Sequence, residues 1–140
     1  MLTECAQSTS ARAWRRLAAG CLVFTGLAHL GTEALAPATP ARSAMIGVMQ
    51  GWRVSFPGAE RNMGELFFGF SIMMGVLLVG CGAMMASARP TRASYGVMVG
   101  LTLAAALIAW RYFFAIPGAL TTVAALAAAQ AWRAEARGQG

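Results

Sequence analysis

The stretch "LFFGFSIMMGVLLVGCGAMMASA", residues 66–88, decides the fold of this chain. It contains no charged side chain, and Glu65 and Arg89 bound it on either side. An α-helix needs about 20 apolar residues to cross the hydrocarbon core of a bilayer. The stretch therefore predicts a membrane-spanning helix.

The composition of the whole chain agrees with this prediction. Of its 140 residues, 58% are hydrophobic and only 11% are charged, whereas about a quarter of the residues in a soluble domain are charged. The length is that of one domain. So few charged side chains cannot cover the surface of a soluble protein. The sequence predicts an integral membrane protein.

Three more apolar runs predict three more spans. The predicted fold class is all-α, an integral membrane four-helix bundle with its transmembrane domain at 17–132. The spans lie at about 17–36, 66–88, 93–114 and 117–132, with an outer loop at 37–64 and tails at 1–16 and 133–140. The first span is ended by Pro37. The fourth begins at Pro117, because proline favours the first position of a helix.

The arginines set the predicted orientation. The net charge of +6 comes from eleven arginines and five glutamates, without lysine or aspartate. Seven arginines fall on the side of both termini and four on the other, so the positive-inside rule predicts cytoplasmic termini. The arginines form no basic patch, and no nucleic-acid partner is predicted. One alternative is a cleaved secretory signal ending at "ALA", residues 34–36, although Pro37 directly after it argues against cleavage.

The outer loop contains a second helical pattern. "TPARSAMIGVMQGWRVSF", residues 39–56, opens with a capping Thr39 and with Pro40 at the first helical position. Its large apolar residues recur at helical spacing, at Met45, Met49, Trp52 and Phe56. The loop is predicted to hold a short amphipathic helix on the outer membrane face.

Ionisable residues collect at the predicted outer end of the spans. In "GLAHLGTEALAP", residues 26–37, His29 and Glu33 are four residues apart and share one helix face. A lone charge in hydrocarbon costs at least about 2.5 kcal/mol, so we expect Glu33 and Arg111 either to reach outward to water or to meet inside the bundle. If the face of His29 and Glu33 points into the bundle, a Glu33–Arg111 or Glu65–Arg111 pair could form over His29. The predicted polar cluster comprises His29, Glu33, Asn62, Glu65, Arg111 and Tyr112.

Two interpretations of this cluster stay open. The side chains either reach toward water and cross-link the bundle, or they line a small pocket that opens to the outer face. Helix packing is predicted at the small residues Gly69, Gly75, Gly96 and Gly100, because small residues let helix backbones approach closely.

Signatures of catalysis are missing from the sequence. There is no phosphate-binding loop, dinucleotide fingerprint or HExxH, and no cysteine–histidine cluster has zinc spacing. No catalytic residue, metal ligand or cofactor is predicted. Haem is an alternative that would need His29 with a methionine or two copies of His29 in a homodimer. Copper is another, because nine methionines offer soft ligands.

The motifs "GLAHLGTE" and "GELFFGFSIMMG", together with four closely spaced helices, resemble the small bacterial DoxX-like membrane proteins. The resemblance implies a bacterial inner-membrane protein, and some members of that group are linked to quinone-coupled sulfur oxidation. No catalytic signature of the group can be matched here, so that activity is not carried over to any residue.

Three functions are expected from these observations. The leading one is a non-enzymatic membrane component that binds a small ligand or a partner protein through the polar cluster. The second is a quinone-linked subunit of an oxidoreductase, with quinone near His29, Trp110, Tyr112 and Phe113. The third is a transporter of a small molecule or metal, which would require a homodimer because four helices rarely enclose a path alone.

Overall fold

The computed structural model describes residues 2–56, 59–87, 91–112 and 115–138. Within them the chain is helical apart from one two-stranded hairpin. The elements in order are α1 (Leu2–Leu35), α2 (Pro40–Gly51), β1 (Arg53–Phe56), β2 (Ala59–Asn62), α3 (Met63–Ser87), α4 (Arg92–Tyr112) and α5 (Ala115–Gly138).

Four of the helices are long and apolar enough to cross a membrane. Their apolar segments are Ser10–Leu35, Met63–Ser87, Ala93–Arg111 and Ala115–Arg137. Each corresponds to one of the four predicted spans, but the helices at the two ends of the chain are longer than predicted. α5 continues beyond Trp132 because the residues that follow include alanine, arginine and glutamate, which favour helix.

The helices are arranged in the order α3, α1, α5, α4. α1 packs on both α3 and α5, whereas α4 packs on α5 and makes little contact with α1 or α3. The core lies in the half of the bundle that carries the chain termini. It is built mostly from alanine, and its members are Ala18, Ala19, Leu22, Met85, Ala124, Ala127 and Ala128.

Glycine brings α1 and α3 into direct backbone contact. A Cβ atom placed on Gly26 would lie 2.7 Å from the carbonyl oxygen of Gly75, and one on Gly75 would lie 2.6 Å from Leu30 Cδ2. The predicted packing role of Gly75 thus matches its position. A Cβ atom on Gly69, Gly96 or Gly100 would meet nothing within 4 Å, so the structure brings none of these three to a helix contact.

The outer loop differs from the prediction in its second half. A helix forms over Pro40–Gly51, and the Thr39 hydroxyl accepts a hydrogen bond of 3.2 Å from the backbone N–H of Arg42. The predicted helical pattern through Trp52 and Phe56 is wrong, because the chain there leaves the helix. Residues 53–56 instead pair antiparallel with residues 59–62, with Arg53 opposite Asn62.

Candidate ligand-binding site

Four side chains form a continuous hydrogen-bonded chain at the outer end of the bundle, the end away from the termini. Arg42 Nη2 lies 3.5 Å from Glu33 Oε2, the Ser71 hydroxyl donates to Glu33 Oε1 at 3.1 Å, and His29 Nε2 lies 2.9 Å from Ser71 Oγ. We call Arg42, Glu33, Ser71 and His29 the polar chain. It links α2, α1 and α3.

Local structure explains why these residues meet. His29 and Glu33 are one helical turn apart on α1 and therefore present the same face. Ser71 lies one turn from Gly75 on α3, and the glycine contact described above brings that part of α3 close to α1. α2 begins just after α1 ends, so its first turn carries Arg42 back over Glu33. Arg42 Nη1 also donates to the carbonyl oxygen of Ala36 at 2.8 Å.

The directions of the hydrogen bonds follow from the acceptors. His29 Nε2 faces the Ser71 carbonyl oxygen at 3.1 Å as well as the Ser71 hydroxyl oxygen. A carbonyl oxygen only accepts, and the hydroxyl hydrogen is directed to Glu33. Nε2 must therefore carry the proton, and in the neutral imidazole the other nitrogen, Nδ1, presents a lone pair.

An outer cavity of about 560 Å³ opens beside the polar chain. Glu33 and Arg42 line it together with α2, the hairpin and the start of α3. Its other polar lining residues are Gln50, Asn62 and Glu65, and its apolar walls include Met45, Met49, Phe67 and Phe68. The cavity therefore combines charges of both signs with a soft apolar surface.

An inner cavity of about 290 Å³ lies between α1, α3, α4 and α5. His29 lines it, along with the hydroxyl-bearing residues Thr25, Thr32 and Thr121. The remaining lining is apolar, and Thr32 borders both cavities. Members of the polar chain therefore line both cavities, and the charged side chains lie at the outer one.

The predicted cluster is brought together only in part. His29 and Glu33 belong to the polar chain. Asn62 and Glu65 line the outer cavity, where they form a reciprocal helix cap: Glu65 N donates to Asn62 Oδ1 at 2.8 Å and Asn62 N donates to Glu65 Oε2 at 3.3 Å. The side chain of Tyr112 lies outside the described residues.

Among the described contacts, neither Glu33 nor Glu65 pairs with Arg111. The partner of Glu33 is Arg42, and the hydrogen bonds of Glu65 are those of the cap at Asn62. Arg111 is exposed at the end of α4, a helix that barely contacts α1 or α3. Depth along the sequence carried no information on which helices are neighbours.

Sequence reasoning missed two members of the polar chain. In the sequence, Arg42 entered only the count of arginines that predicts membrane orientation. Its short distance from Glu33 depends on the turn between α1 and α2. Ser71 carries the only hydroxyl group between Leu66 and Ala86, and it is buried. That isolation within an apolar run was a signal that could have identified it.

The described residues contain no group of three or more His, Cys, Asp or Glu side chains that could hold a metal ion. No family model matches the chain, and no curated protein or solved structure matches it either. The site is therefore interpreted from its own geometry.

Proposed function

We propose that this chain is an integral membrane protein that binds a small ligand at the polar chain. The proposal has two parts, insertion of the bundle into a membrane and ligand binding at its outer end. Each part is supported by a different set of contacts.

Membrane insertion is supported by the distribution of side-chain sizes. Large apolar side chains face outward, such as Phe70 at 63% exposure and Leu107 at 66%, while the core is mostly alanine. This arrangement suits helices surrounded by lipid, where small residues mediate helix contacts. We further propose, from the arginine distribution and the DoxX-like resemblance, a bacterial inner membrane with both termini cytoplasmic.

Ligand binding is supported by one observation above all: members of the polar chain line two cavities. Glu33 and Arg42 border the outer cavity, and His29 borders the inner one. A cross-link that served only to hold α1, α2 and α3 together would not require open space beside it. Intramembrane ionisable residues in such positions are typical of ligand and ion sites.

Arg42 has unused capacity for binding. Its guanidinium group carries five N–H donors, and its described bonds are those to Glu33 and Ala36. Glu65 adds a second carboxylate to the same cavity. A small molecule with a polar head and an apolar body would match this lining.

Purification of the protein in native-lipid nanodiscs, followed by mass spectrometry of the extracted small molecules, tests the proposal. We expect a molecule that co-purifies in proportion to the protein. Glu33→Gln removes the charge that holds Arg42 and should deplete that molecule. Glu60→Gln is the matched control, because Glu60 pairs with Arg53 on the exposed hairpin and does not line either cavity.

Two results would contradict the proposal. One is an extract that contains only the bulk lipids of the membrane. The other is equal retention of a co-purifying molecule by the Glu33→Gln and Glu60→Gln variants, which would separate that molecule from the polar chain.

A further inference from the structure

The inner cavity has the size and lining of a small-molecule site. Its volume of about 290 Å³ lies at the lower end of the range of roughly 300–1,000 Å³ that is usual for ligand pockets. Most of its wall is apolar, from residues such as Met74, Leu78, Ile108 and Leu120. Its side-chain polar groups are three threonine hydroxyls and the imidazole of His29.

The three hydroxyl hydrogens in the cavity are already used. Thr25 donates to the carbonyl oxygen of Cys21 at 2.7 Å, and Thr121 donates to that of Pro117 at 2.7 Å. Thr32 donates to the carbonyl oxygen of His29 at 2.8 Å. Each hydroxyl oxygen therefore offers only lone pairs to a ligand.

His29 offers an acceptor as well. Its Nε2–H is directed at Ser71, whose own hydroxyl is committed to Glu33. Both described hydrogen bonds of the ring are made by Nε2, so Nδ1 keeps a lone pair in the neutral imidazole. The polar chain thus fixes the tautomer of the neutral ring, and in that form each described side-chain polar group that lines the cavity is an acceptor.

We propose that the inner cavity binds a neutral, largely apolar molecule that ends in a hydroxyl group, an alcohol or a phenol. The hydroxyl donates its hydrogen to an acceptor of the cavity, with His29 Nδ1 as the principal candidate. An ammonium group could also donate, but the described residues that line this cavity include no carboxylate, and an unpaired buried charge is costly. The inference rests on the proposed function and specifies the ligand of the inner cavity, whereas Arg42 and Glu65 line the outer one.

The arrangement of the helices gives such a molecule a route from the lipid. The cavity is bordered by Met74 and Leu78 of α3 and by Ile108 of α4, and these two helices make little contact with each other. Ala28 and Ile108 line the cavity and are nevertheless exposed, so it is open. A molecule dissolved in the bilayer enters between α3 and α4 without crossing the polar chain.

A series of three probes tests the class of ligand: 4-hexylphenol, 4-hexylanisole and hexylbenzene. Only the phenol can donate a hydrogen bond, while the three apolar bodies are nearly the same. Binding is measured by equilibrium dialysis against the protein in phosphatidylcholine nanodiscs. We expect the phenol to bind about fivefold more tightly than the anisole, since one hydrogen bond is worth about 1 kcal/mol and tenfold in affinity corresponds to about 1.4 kcal/mol.

Two variants of neighbouring residues control for simple partition into the bilayer. Ala105→Leu places a larger side chain into the inner cavity, and binding of all three probes should fall to the level of empty nanodiscs. Ala104→Leu makes the same change on the exposed face of α4 and should leave binding unchanged. His29→Phe retains a ring but removes the acceptor, and the preference for the phenol should disappear.

The outcomes test separately the class of ligand, the location of the site and the proposed function. If the anisole binds the native protein as tightly as the phenol and Ala105→Leu abolishes both, the cavity binds ligands but the hydroxyl class is refuted. If Ala105→Leu binds every probe as the native protein does, the cavity is not the site. If the native protein releases no small molecule on extraction and binds no probe above empty nanodiscs, the proposed function itself fails.

Discussion

The two halves of the bundle are held together by different means. The half near the termini is close-packed through alanine, and Ala18, Ala124 and Ala131 are completely buried. The outer half contains both cavities, and the polar chain links α1, α2 and α3 there. The first half is stabilised by contact between small side chains, and in the second the hydrogen bonds of the polar chain add to the helix contact at Gly26 and Gly75.

This difference shows how a small bundle can contain a site. Close packing leaves no volume for a ligand, because a packed interior has few voids. Directional hydrogen bonds hold helices at a fixed distance without filling the space between them. The half near the termini therefore makes the bundle rigid, and the outer half provides the volume for a ligand.

The largest effect is expected from the same substitution made in the two halves. Ala127→Leu adds three carbons to a position that is 1% exposed and should cost about 3 kcal/mol of stability through overpacking. Ala105→Leu adds the same atoms beside the inner cavity and should change stability by less than about 0.5 kcal/mol. Unfolding of both variants in mixed micelles measures the difference, and equal losses would show that the halves are equally packed.

A second comparison concerns glycine. Gly26→Ala places a methyl group 2.7 Å from a backbone oxygen of α3, which cannot move aside as a side chain does, and the expected loss is about 2 kcal/mol. Gly100→Ala has nothing within 4 Å and should leave the same unfolding midpoint or raise it slightly, because alanine favours helix. A destabilised Gly100→Ala variant would instead indicate a contact made by that face of α4 in the membrane.

The third comparison separates the polar chain from the exposed hairpin. Arg42→Ala removes bonds to Glu33 and Ala36, and the side chains of the Arg42–Glu33 pair are only 25% and 21% exposed. The free energy of unfolding should fall by about 1.5 kcal/mol. Arg53→Ala breaks a pair whose side chains are 77% and 63% exposed. It should change the free energy of unfolding by less than about 0.5 kcal/mol. Thermal unfolding curves that shift equally for the two variants would argue against a structural role of the polar chain.

The smallest effect is expected at the cap of α3. Asn62→Ala removes the acceptor for Glu65 N and should cost about 1 kcal/mol, the usual value for a helix cap. Hydrogen exchange should report faster opening in the first turn of α3 and no change near Ala124. Uniform acceleration along the chain would mean that the outer half does not open independently.

Much of the fold could be predicted from the sequence, and less of the site. Long apolar runs identify the four helices because each must satisfy its backbone within itself. His29 and Glu33 could be paired because their spacing fixes a shared helix face. Arg42 and Ser71 could not be assigned as their partners, since that contact depends on which helices are neighbours and on how closely α1 approaches α3.

The sequence by itself determined the number of long apolar helices, their approximate ends and the face shared by His29 and Glu33. These features depend on composition and on the period of the helix, which are local properties. Only the tertiary structure decided that Glu33 meets Arg42 instead of Arg111, that Ser71 orients the imidazole, and that open space remains beside the polar chain. Those outcomes depend on the order of the helices around the bundle and on backbone contact at Gly26 and Gly75, which no local pattern encodes.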